Sequence, residues 1–168
     1  MTELEVIPLL VEDVRALRNL AEELYRSYLG DTVDVKFVDL LLEDTFGDAR
    51  LTVVNLEQPR VWVAKDEGRI VGSVQIHPID KIQCELSGLI VSQDFQGHGV
   101  GRLLCKAVEA EAQNQGFAVI TLRVNRLCGD AIQVFQKLGY IEVSTSRRAL
   151  DEDIFSDEFV MVKMISRA

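Results

Sequence analysis

The sequence predicts an α+β fold in which a mixed, mostly antiparallel sheet is flanked by helices. Three observations support this class. Helical and β-rich segments alternate along the chain, two β-rich segments are spaced as a hairpin, and a strand–helix–strand unit occupies the middle. A length of 168 residues suits one hydrophobic core. We therefore expect residues 1–168 to form a single domain.

The amino-terminal part is predicted to contain one strand and two helices. Residues 4–7 are a short strand candidate. Asp13 can cap the first helix and Gly30 can end it, and its apolar positions share one helical face: Val14, Leu17, Leu20, Ala21, Leu24 and Tyr28. Asp34 can cap a second helix with apolar positions at Phe37, Leu40 and Leu41. Residues 47–59 show no clear pattern.

The central part predicts three strands and the strongest helix. β-branched and aromatic residues at 61–64 and 70–76 flank the turn sequence at 66–68, which predicts a hairpin. Residues 84–91 are predicted to form another strand. A helix follows from about residue 100 to residue 115, and Gly116 is placed to end it.

The carboxy-terminal part is predicted to add three strands and a short helix. Residues 117–124 are rich in β-formers. Asp130 can cap a helix that runs to residue 138 and stops at Gly139. Residues 140–143 and 159–164 are predicted to be the closing strands.

Charge and cysteine usage narrow the possible partners. The chain has 27 acidic and 18 basic side chains and a formal net charge of −9 at pH 7. Negative charge repels phosphate backbones and anionic lipid, so neither nucleic acid nor a membrane is an expected partner. No segment is long and uncharged enough to cross a bilayer, and the first residues do not resemble a signal peptide. We expect a cytoplasmic protein, and no feature indicates its oligomeric state.

The three cysteines do not predict a disulfide framework or a metal site. Cys84, Cys105 and Cys128 are odd in number and show neither CxxC nor Cys/His ligand spacing. They are expected to be reduced thiols.

The most informative stretch is a glycine-rich turn between a predicted strand and the strongest predicted helix. It runs Gln96-Gly97-His98-Gly99-Val100-Gly101. Glycines allow a sharp turn that brings successive N–H groups together, and the helix amino terminus adds its positive dipole end. This arrangement suits an anion such as a pyrophosphate. It is not a Walker A loop, because no Gly-Lys-Ser/Thr follows, and it lacks the full dinucleotide fingerprint.

The turn and its surroundings resemble the GCN5-related N-acetyltransferases, the GNAT family. The central motif of that family is Arg or Gln, then x-x-Gly-x-Gly, after a strand, and Gln96, Gly99 and Gly101 match it. Residues 122–124 are similar to the next strand, and residues 131–140 are similar to the second conserved block. The resemblance covers roughly residues 61–143.

The resemblance implies that acetyl-coenzyme A is the acyl-donor cosubstrate, with no metal. The pantetheine arm is expected to run beside Leu89, Ile90 and Val91, and the Val91 N–H is the candidate for polarising the thioester carbonyl. The pyrophosphate is expected at the glycine turn, and the cofactor-binding residues there are Gln96, Gly97, His98, Gly99, Val100, Gly101 and Arg102.

The expected reaction is direct transfer of an acetyl group to a primary amine of a small molecule or a protein. A proton must leave the amine, and Glu85 is the candidate general base because many family members have a glutamate at this strand position. The alternative is that Glu85 is an ordinary exposed strand residue. His98 is not expected to be catalytic, and His77 is expected to be an ordinary surface or hinge residue.

Two residues depart from the family pattern. Phe135 stands where a tyrosine commonly protonates the departing thiolate, and Cys128 stands where an asparagine is common. Asn125 can take over part of that hydrogen bonding, and we expect Cys128 to serve in packing. These departures keep open the alternative of a non-catalytic acyl-coenzyme A binding module.

Overall fold

The computed structural model describes residues 3–51 and 58–166. In these ranges the chain forms a sheet of seven strands: β1 (Leu4–Pro8), β2 (Val61–Asp66), β3 (Arg69–Pro78), β4 (Gln83–Val91), β5 (Val119–Asn125), β6 (Ile141–Ala149) and β7 (Phe155–Met164). The helices are α1 (Val14–Leu29), α2 (Val35–Phe46), the short α3 (Asp48–Leu51), α4 (Val100–Asn114) and α5 (Gly129–Lys137).

The sheet has the order β1-β2-β3-β4-β5-β7-β6. Its pairs are antiparallel except for β4 and β5, which are parallel and are joined through α4. The predicted α+β class, with a mostly antiparallel sheet and a central strand–helix–strand unit, is confirmed. The β2–β3 hairpin turns at Glu67 and Gly68, whose positive φ values of 48° and 78° are typical of a tight two-residue hairpin.

Apolar side chains bury both faces of the sheet. One face packs against α4 and α5 through residues that include Leu86, Leu104, Val108, Leu122, Phe135 and Tyr140. The other face packs against α1 and α2 through residues that include Leu17, Ala21, Phe46, Val63 and Ile90. In the part of the chain that the structure describes, no helix combines the length and the low polarity needed to cross a membrane.

The parallel pairing between β4 and β5 is short. It joins Gln83–Leu86 to Val119–Leu122, and beyond these residues the two strands are no longer paired. β4 also carries an irregularity against β3, where Gln75 is opposite Ser87 but Ser73 is opposite Ile90, so β4 has one extra residue there. The sheet therefore opens in its middle, at the carboxyl ends of the parallel pair.

Several sequence-based predictions differ from the structure at helix starts. Asp34 caps α2 as predicted, accepting from the Lys36 N–H at 2.8 Å. Asp13 does not cap α1; its carboxylate instead lies 2.6 Å from the Lys65 ammonium. Asp130 does not cap α5 either, because Cys128 occupies the N-cap position and Asp130 lies in the first turn.

The last two strands are longer than predicted. β6 continues to Ala149 and β7 begins at Phe155, because polar and charged residues pair across the hairpin as well as apolar ones do. The added residues bring Arg148 and Glu158 into the sheet.

Candidate active site

A cleft of about 1000 Å³ occupies the opening between β4 and β5. It is lined by the second half of β4, the end of β5, the amino terminus of α4 and parts of α1, α2 and α5. Ligands in sheets with parallel strands commonly bind at such carboxyl ends. The candidate residues chosen from sequence can be located relative to this cleft.

One end of the cleft is made by the start of α4. Gly99 is the N-cap residue, with φ of 82°, and no side chain caps the helix there. The first N–H groups of any α-helix have no acceptor within the helix, so those of Val100, Gly101 and Arg102 can bind a ligand. An added Cβ at Gly97 or Gly99 would meet no protein atom within 4 Å. The backbone at these two glycines therefore has open space beside it, which suits close approach by a phosphate.

Gln96 and His98 have different positions in this turn. The Gln96 side chain lines the cleft and donates through Nε2 to the Val91 carbonyl at 3.0 Å, which ties the turn to the end of β4. His98 is exposed and is not among the residues that line the cleft, and its backbone N–H donates to the Phe95 carbonyl at 3.3 Å. The structure therefore does not bring His98 to the site with the other turn residues.

The unpaired edge of β4 forms one wall of the cleft. Leu89, Ile90 and Val91 all line it. The Ser92 N–H bonds the Val71 carbonyl of β3 at 2.8 Å, and successive N–H groups along a strand point to opposite edges. The Val91 N–H consequently points away from β3 and toward the cleft, as its expected role requires.

Glu85 lies further down the same strand and also lines the cleft. Its carboxylate is 3.5 Å from the Arg123 guanidinium and 4.0 Å from that of Arg50. Neither distance is that of a good hydrogen bond. Ser87, two residues along, lines the cleft as well, and its buried hydroxyl has no hydrogen-bond partner within the described ranges.

A second charged group lies across the cleft and is bonded tightly. Arg148 donates to both carboxylate oxygens of Glu158, at 3.1 and 3.0 Å, and to Asp44 at 2.7 Å. Hydrogen bonding to Glu158 raises the pKa of Arg148, burial opposes this, and the Asp44 bond adds to the rise. We call Asp44, Arg148 and Glu158 the saturated triad, and Arg50, Glu85 and Arg123 the open triad.

A buried polar chain backs this part of the sheet. The Gln75 Nε2 donates to the Thr45 carbonyl at 2.9 Å, which leaves Oε1 facing the His77 Nε2, also at 2.9 Å. Since an amide oxygen only accepts, the His77 Nε2 must carry the proton. Burial, together with Arg50 and Arg60, lowers the pKa of His77 to about 4, so the ring is neutral near pH 7. His77 is thus a hydrogen-bonded, partly buried residue.

The residues that depart from the family pattern also lie at the cleft. Phe135 is 8% exposed, lines the cleft and packs edge-on against Tyr140, with ring centroids 5.6 Å apart. Burial raises the pKa of the Cys128 thiol. Asn125 lines the cleft, but its side chain accepts from the Leu127 N–H at 2.9 Å and donates to the Ser156 hydroxyl at 2.8 Å.

The sequence did not predict several other charged residues that line the cleft with Glu85. Arg50 lies in the stretch that showed no pattern, and Arg148 and Glu158 lie where β6 and β7 extend beyond their predicted ends. For Arg123 the strand pattern offers a clue. Glu85 is opposite Thr121 in the parallel pair, and Arg123 lies two residues further along the same strand, on the same face as Thr121. Within the described residues no group of three or more His, Cys, Asp or Glu side chains could hold a metal ion.

A family model described as acetyltransferase (GNAT) family matches residues 16–140. Human N-acetyltransferase 8B is 25% identical over 116 residues, which cover 66% of this chain and 51% of that protein. Rat N-acetyltransferase family 8 member 2 is 31% identical over 104 residues, covering 56% and 46%. The chain thus spans about half the length of these curated relatives.

Solved structures share the fold. PaiA N-acetyltransferase from Thermoplasma acidophilum, in complex with coenzyme A, superposes with a TM-score of 0.80 at 18% identity, covering 97% of this chain and 99% of that one. A Salmonella typhimurium structure with its cofactor acetyl-CoA gives a TM-score of 0.69 at 19% identity, covering 99% and 96%. Because the family model matches well over half of the sequence and the fold agrees, this chain belongs to the acetyltransferase (GNAT) family.

Proposed function

We propose that this protein transfers an acetyl group from acetyl-coenzyme A to a primary amine of a small molecule or a protein. The observation that carries the proposal is the uncapped, glycine-turned start of α4 beside the unpaired edge of β4, in the same cleft as Glu85. An anion-binding end, a strand edge and a carboxylate are what this transfer requires.

The residues fit acetyl-coenzyme A as the donor cosubstrate, which supplies a thioester carbonyl. The amides of Gly97 and Gly99 to Arg102 are the proposed contacts of the pyrophosphate. Leu89, Ile90 and Val91 are proposed to pair with the pantetheine arm through their backbone. Gln96 acts by holding the Val91 carbonyl, and Asn125 by shaping the wall near the end of β5. His98 is exposed and does not line the cleft, so no side-chain contact with the coenzyme is proposed for it.

The chemical step is proposed to be direct. The amine nitrogen bonds to the acetyl carbon, the bond from that carbon to sulfur breaks, and the electron pair leaves with the sulfur of coenzyme A. Glu85 takes the amine proton, directly or through water. The Val91 N–H stabilises the negative charge that develops on the carbonyl oxygen.

Phe135 cannot protonate the departing sulfur, but a thiolate is stable enough to leave without a proton donor. A thiol has a pKa of about 8.5, so the thiolate can leave and be protonated by water near neutral pH. General acid catalysis is worth roughly a hundredfold or more where it is essential, and a stable leaving group needs less. Slow but measurable turnover is therefore expected.

The test is release of free thiol from acetyl-coenzyme A with a panel of amines, with the acetylated product identified by its mass increase. Phe135→Tyr serves as a second variant and is expected to gain at most about tenfold. If the natural protein binds acetyl-coenzyme A but acetylates no amine, while Phe135→Tyr is robustly active on the same panel, the protein is a binding module.

The proposal includes two broader expectations. The described strands all belong to one sheet, which supports a single domain over residues 1–168. Cys84, Cys105 and Cys128 are free thiols, which supports a reducing compartment such as the cytoplasm.

A further inference from the structure

The two charged triads of the cleft differ in how fully their arginines are used. In the saturated triad, Arg148 makes three hydrogen bonds of 2.7 to 3.1 Å. In the open triad, the closest contacts of Arg123 and Arg50 to Glu85 are 3.5 and 4.0 Å. Within the described residues these two guanidinium groups form no other ion pair, so their N–H groups are available to a ligand.

The open triad also carries excess positive charge. Two guanidinium groups and one carboxylate give the open triad a charge of +1, whereas the saturated triad across the cleft has two carboxylates, one guanidinium and a charge of −1. His77, which is beside Glu85 across the β3–β4 pair, adds no charge near pH 7 because its pKa is lowered. An amine that reaches Glu85 comes close to both guanidinium groups of the open triad. An acceptor with an anionic group beside its amine would be attracted.

The geometry of arginine favours a carboxylate as that group. Guanidinium N–H groups form a planar fork that matches the two oxygens of a carboxylate. The side chains of Arg50 and Arg123 are 32% and 40% exposed, so a ligand in the cleft can reach them.

We infer that Arg50, Glu85 and Arg123 form an acceptor subsite for an α-amino acid, or for a small molecule with free α-amino and α-carboxyl groups. The carboxylate binds the two arginines, and the adjacent amine is brought to Glu85, which removes its proton. The inference rests on the proposed acetyl transfer and names its acceptor class. Acceptors without a carboxylate beside the amine cannot make the paired contact with the two arginines and should bind this subsite less well.

The experiment uses matched trios of acceptors with one side chain each. L-phenylalanine is compared with L-phenylalaninamide and 2-phenylethylamine, and L-leucine with L-leucinamide and 3-methylbutylamine. In the natural protein, kcat/KM for the amino acid is expected to exceed that for the amide and the simple amine by about tenfold to a hundredfold, the usual weight of a hydrogen bond to a charged group. Equal or better use of the amide or the amine overturns the inference.

Variants assign the preference to residues. Arg50→Gln and Arg123→Gln are each expected to raise KM for the amino acid by a larger factor than KM for the amide, so that the preference for the amino acid falls. Arg147→Gln removes the same charge from an exposed position outside the cleft, where the side chain is 66% exposed, and is expected to keep the preference. Equal losses on all three acceptors would contradict a carboxylate subsite. Thermal unfolding and acetyl-coenzyme A affinity of each variant establish that it is folded.

A binding measurement separates this inference from the proposed function. Calorimetry with coenzyme A present measures the affinity for L-phenylalanine and for L-phenylalaninamide without requiring turnover. Preferential binding of the amino acid, lost in Arg123→Gln, supports the subsite even if no acetyl transfer is detected. No preference for the amino acid overturns the subsite even if other amines are acetylated.

Discussion

The two ends of the cleft are built from different parts of the chain. The proposed coenzyme end consists of backbone: the β4 edge and the turn from Gln96 to Arg102, which is continuous in sequence. The proposed acceptor end consists of side chains, and Arg50, Glu85, Arg123, Arg148 and Glu158 come from five separate elements. The first end depends on conformation that few residues other than glycine can adopt, whereas the second depends on charges that a single substitution can change.

This difference predicts different consequences for substitutions at the two ends. Changes at the acceptor end act through charge and affect turnover, specificity or the stability of buried ion pairs. Changes at the coenzyme end act through backbone shape and affect binding.

The largest effect is expected on stability, at the saturated triad. Arg148→Met leaves Glu158, whose side chain is only 4% exposed, without its cation, and should lower the free energy of unfolding by about 3 kcal/mol or more. Arg123→Met in the open triad should cost less than about 1 kcal/mol, because its contact is long and more exposed. Denaturant unfolding of both variants measures the difference. The double variant Arg148→Met/Glu158→Met should recover most of the stability lost in Arg148→Met. If it does not, the unpaired charge of Glu158 is not the cause of the loss.

The second prediction concerns the coenzyme end. Acetyl-coenzyme A at a hundredfold excess over its Kd should stabilise the natural protein by about 2.7 kcal/mol, and Gly99→Val should remove most of this gain. The side chain would project from a residue with φ of 82° toward the proposed phosphate position.

Gly116→Val is the matched control for this change. Gly116 has φ of 88°, has no protein atom within 4 Å of an added Cβ and follows the opposite end of the same helix. The two variants should unfold at similar temperatures without ligand, but only Gly116→Val should keep the ligand-induced shift. Equal loss of that shift in both would mean that strain, and not the turn itself, controls binding.

The third prediction is that Glu85→Gln lowers kcat by about a hundredfold while affinity for acetyl-coenzyme A changes little. The amide keeps the shape of the side chain but cannot take the amine proton. Steady-state kinetics and calorimetry measure the two effects separately. Glu142→Gln, on an exposed position of β6, is the control for lost charge and should behave as the natural protein. Unchanged turnover in Glu85→Gln across the pH range would remove Glu85 from the mechanism.

The smallest effect is expected from His77. Its pKa is about 4 in the folded protein and about 6.5 when unfolded, so the unfolded chain binds more protons between these values. The contribution of neutral His77 to the free energy of unfolding should therefore be fully present above pH 6.5 and be lost as the pH falls toward 4. Partial exposure reduces the expected loss to roughly 1 to 2 kcal/mol. The stability of His77→Gln should depend less on pH in this window, as measured by denaturant unfolding at several pH values, and parallel profiles would contradict the prediction.

The same division explains how far the sequence could be interpreted. The turn from Gln96 to Gly101 combines glycine chemistry, a preceding strand and a following helix within a few residues, so local sequence was enough to propose it as the coenzyme end. Arg50 and Arg148 could not, because nothing local indicates which charged side chain faces a cleft formed by distant elements. Asp13 and Asp130 illustrate a related limit. A carboxylate before a helix can cap it or pair with a lysine, and the position of Lys65 is known only after folding.

The short parallel pairing between β4 and β5 has a consequence for cooperativity. Within the described ranges, β1–β4 are joined to the group of β5, β7 and β6 by the ladder from Gln83–Leu86 to Val119–Leu122 and by bonds from the Ala118 and Val119 N–H groups to the Ile82 carbonyl. A strand-like ligand in the opening would extend that junction with hydrogen bonds of its own. Ligand binding should then be coupled to the free energy of opening the sheet at this junction. The two groups of strands share one hydrophobic core without the ligand, and the ligand should raise the free energy needed to separate them.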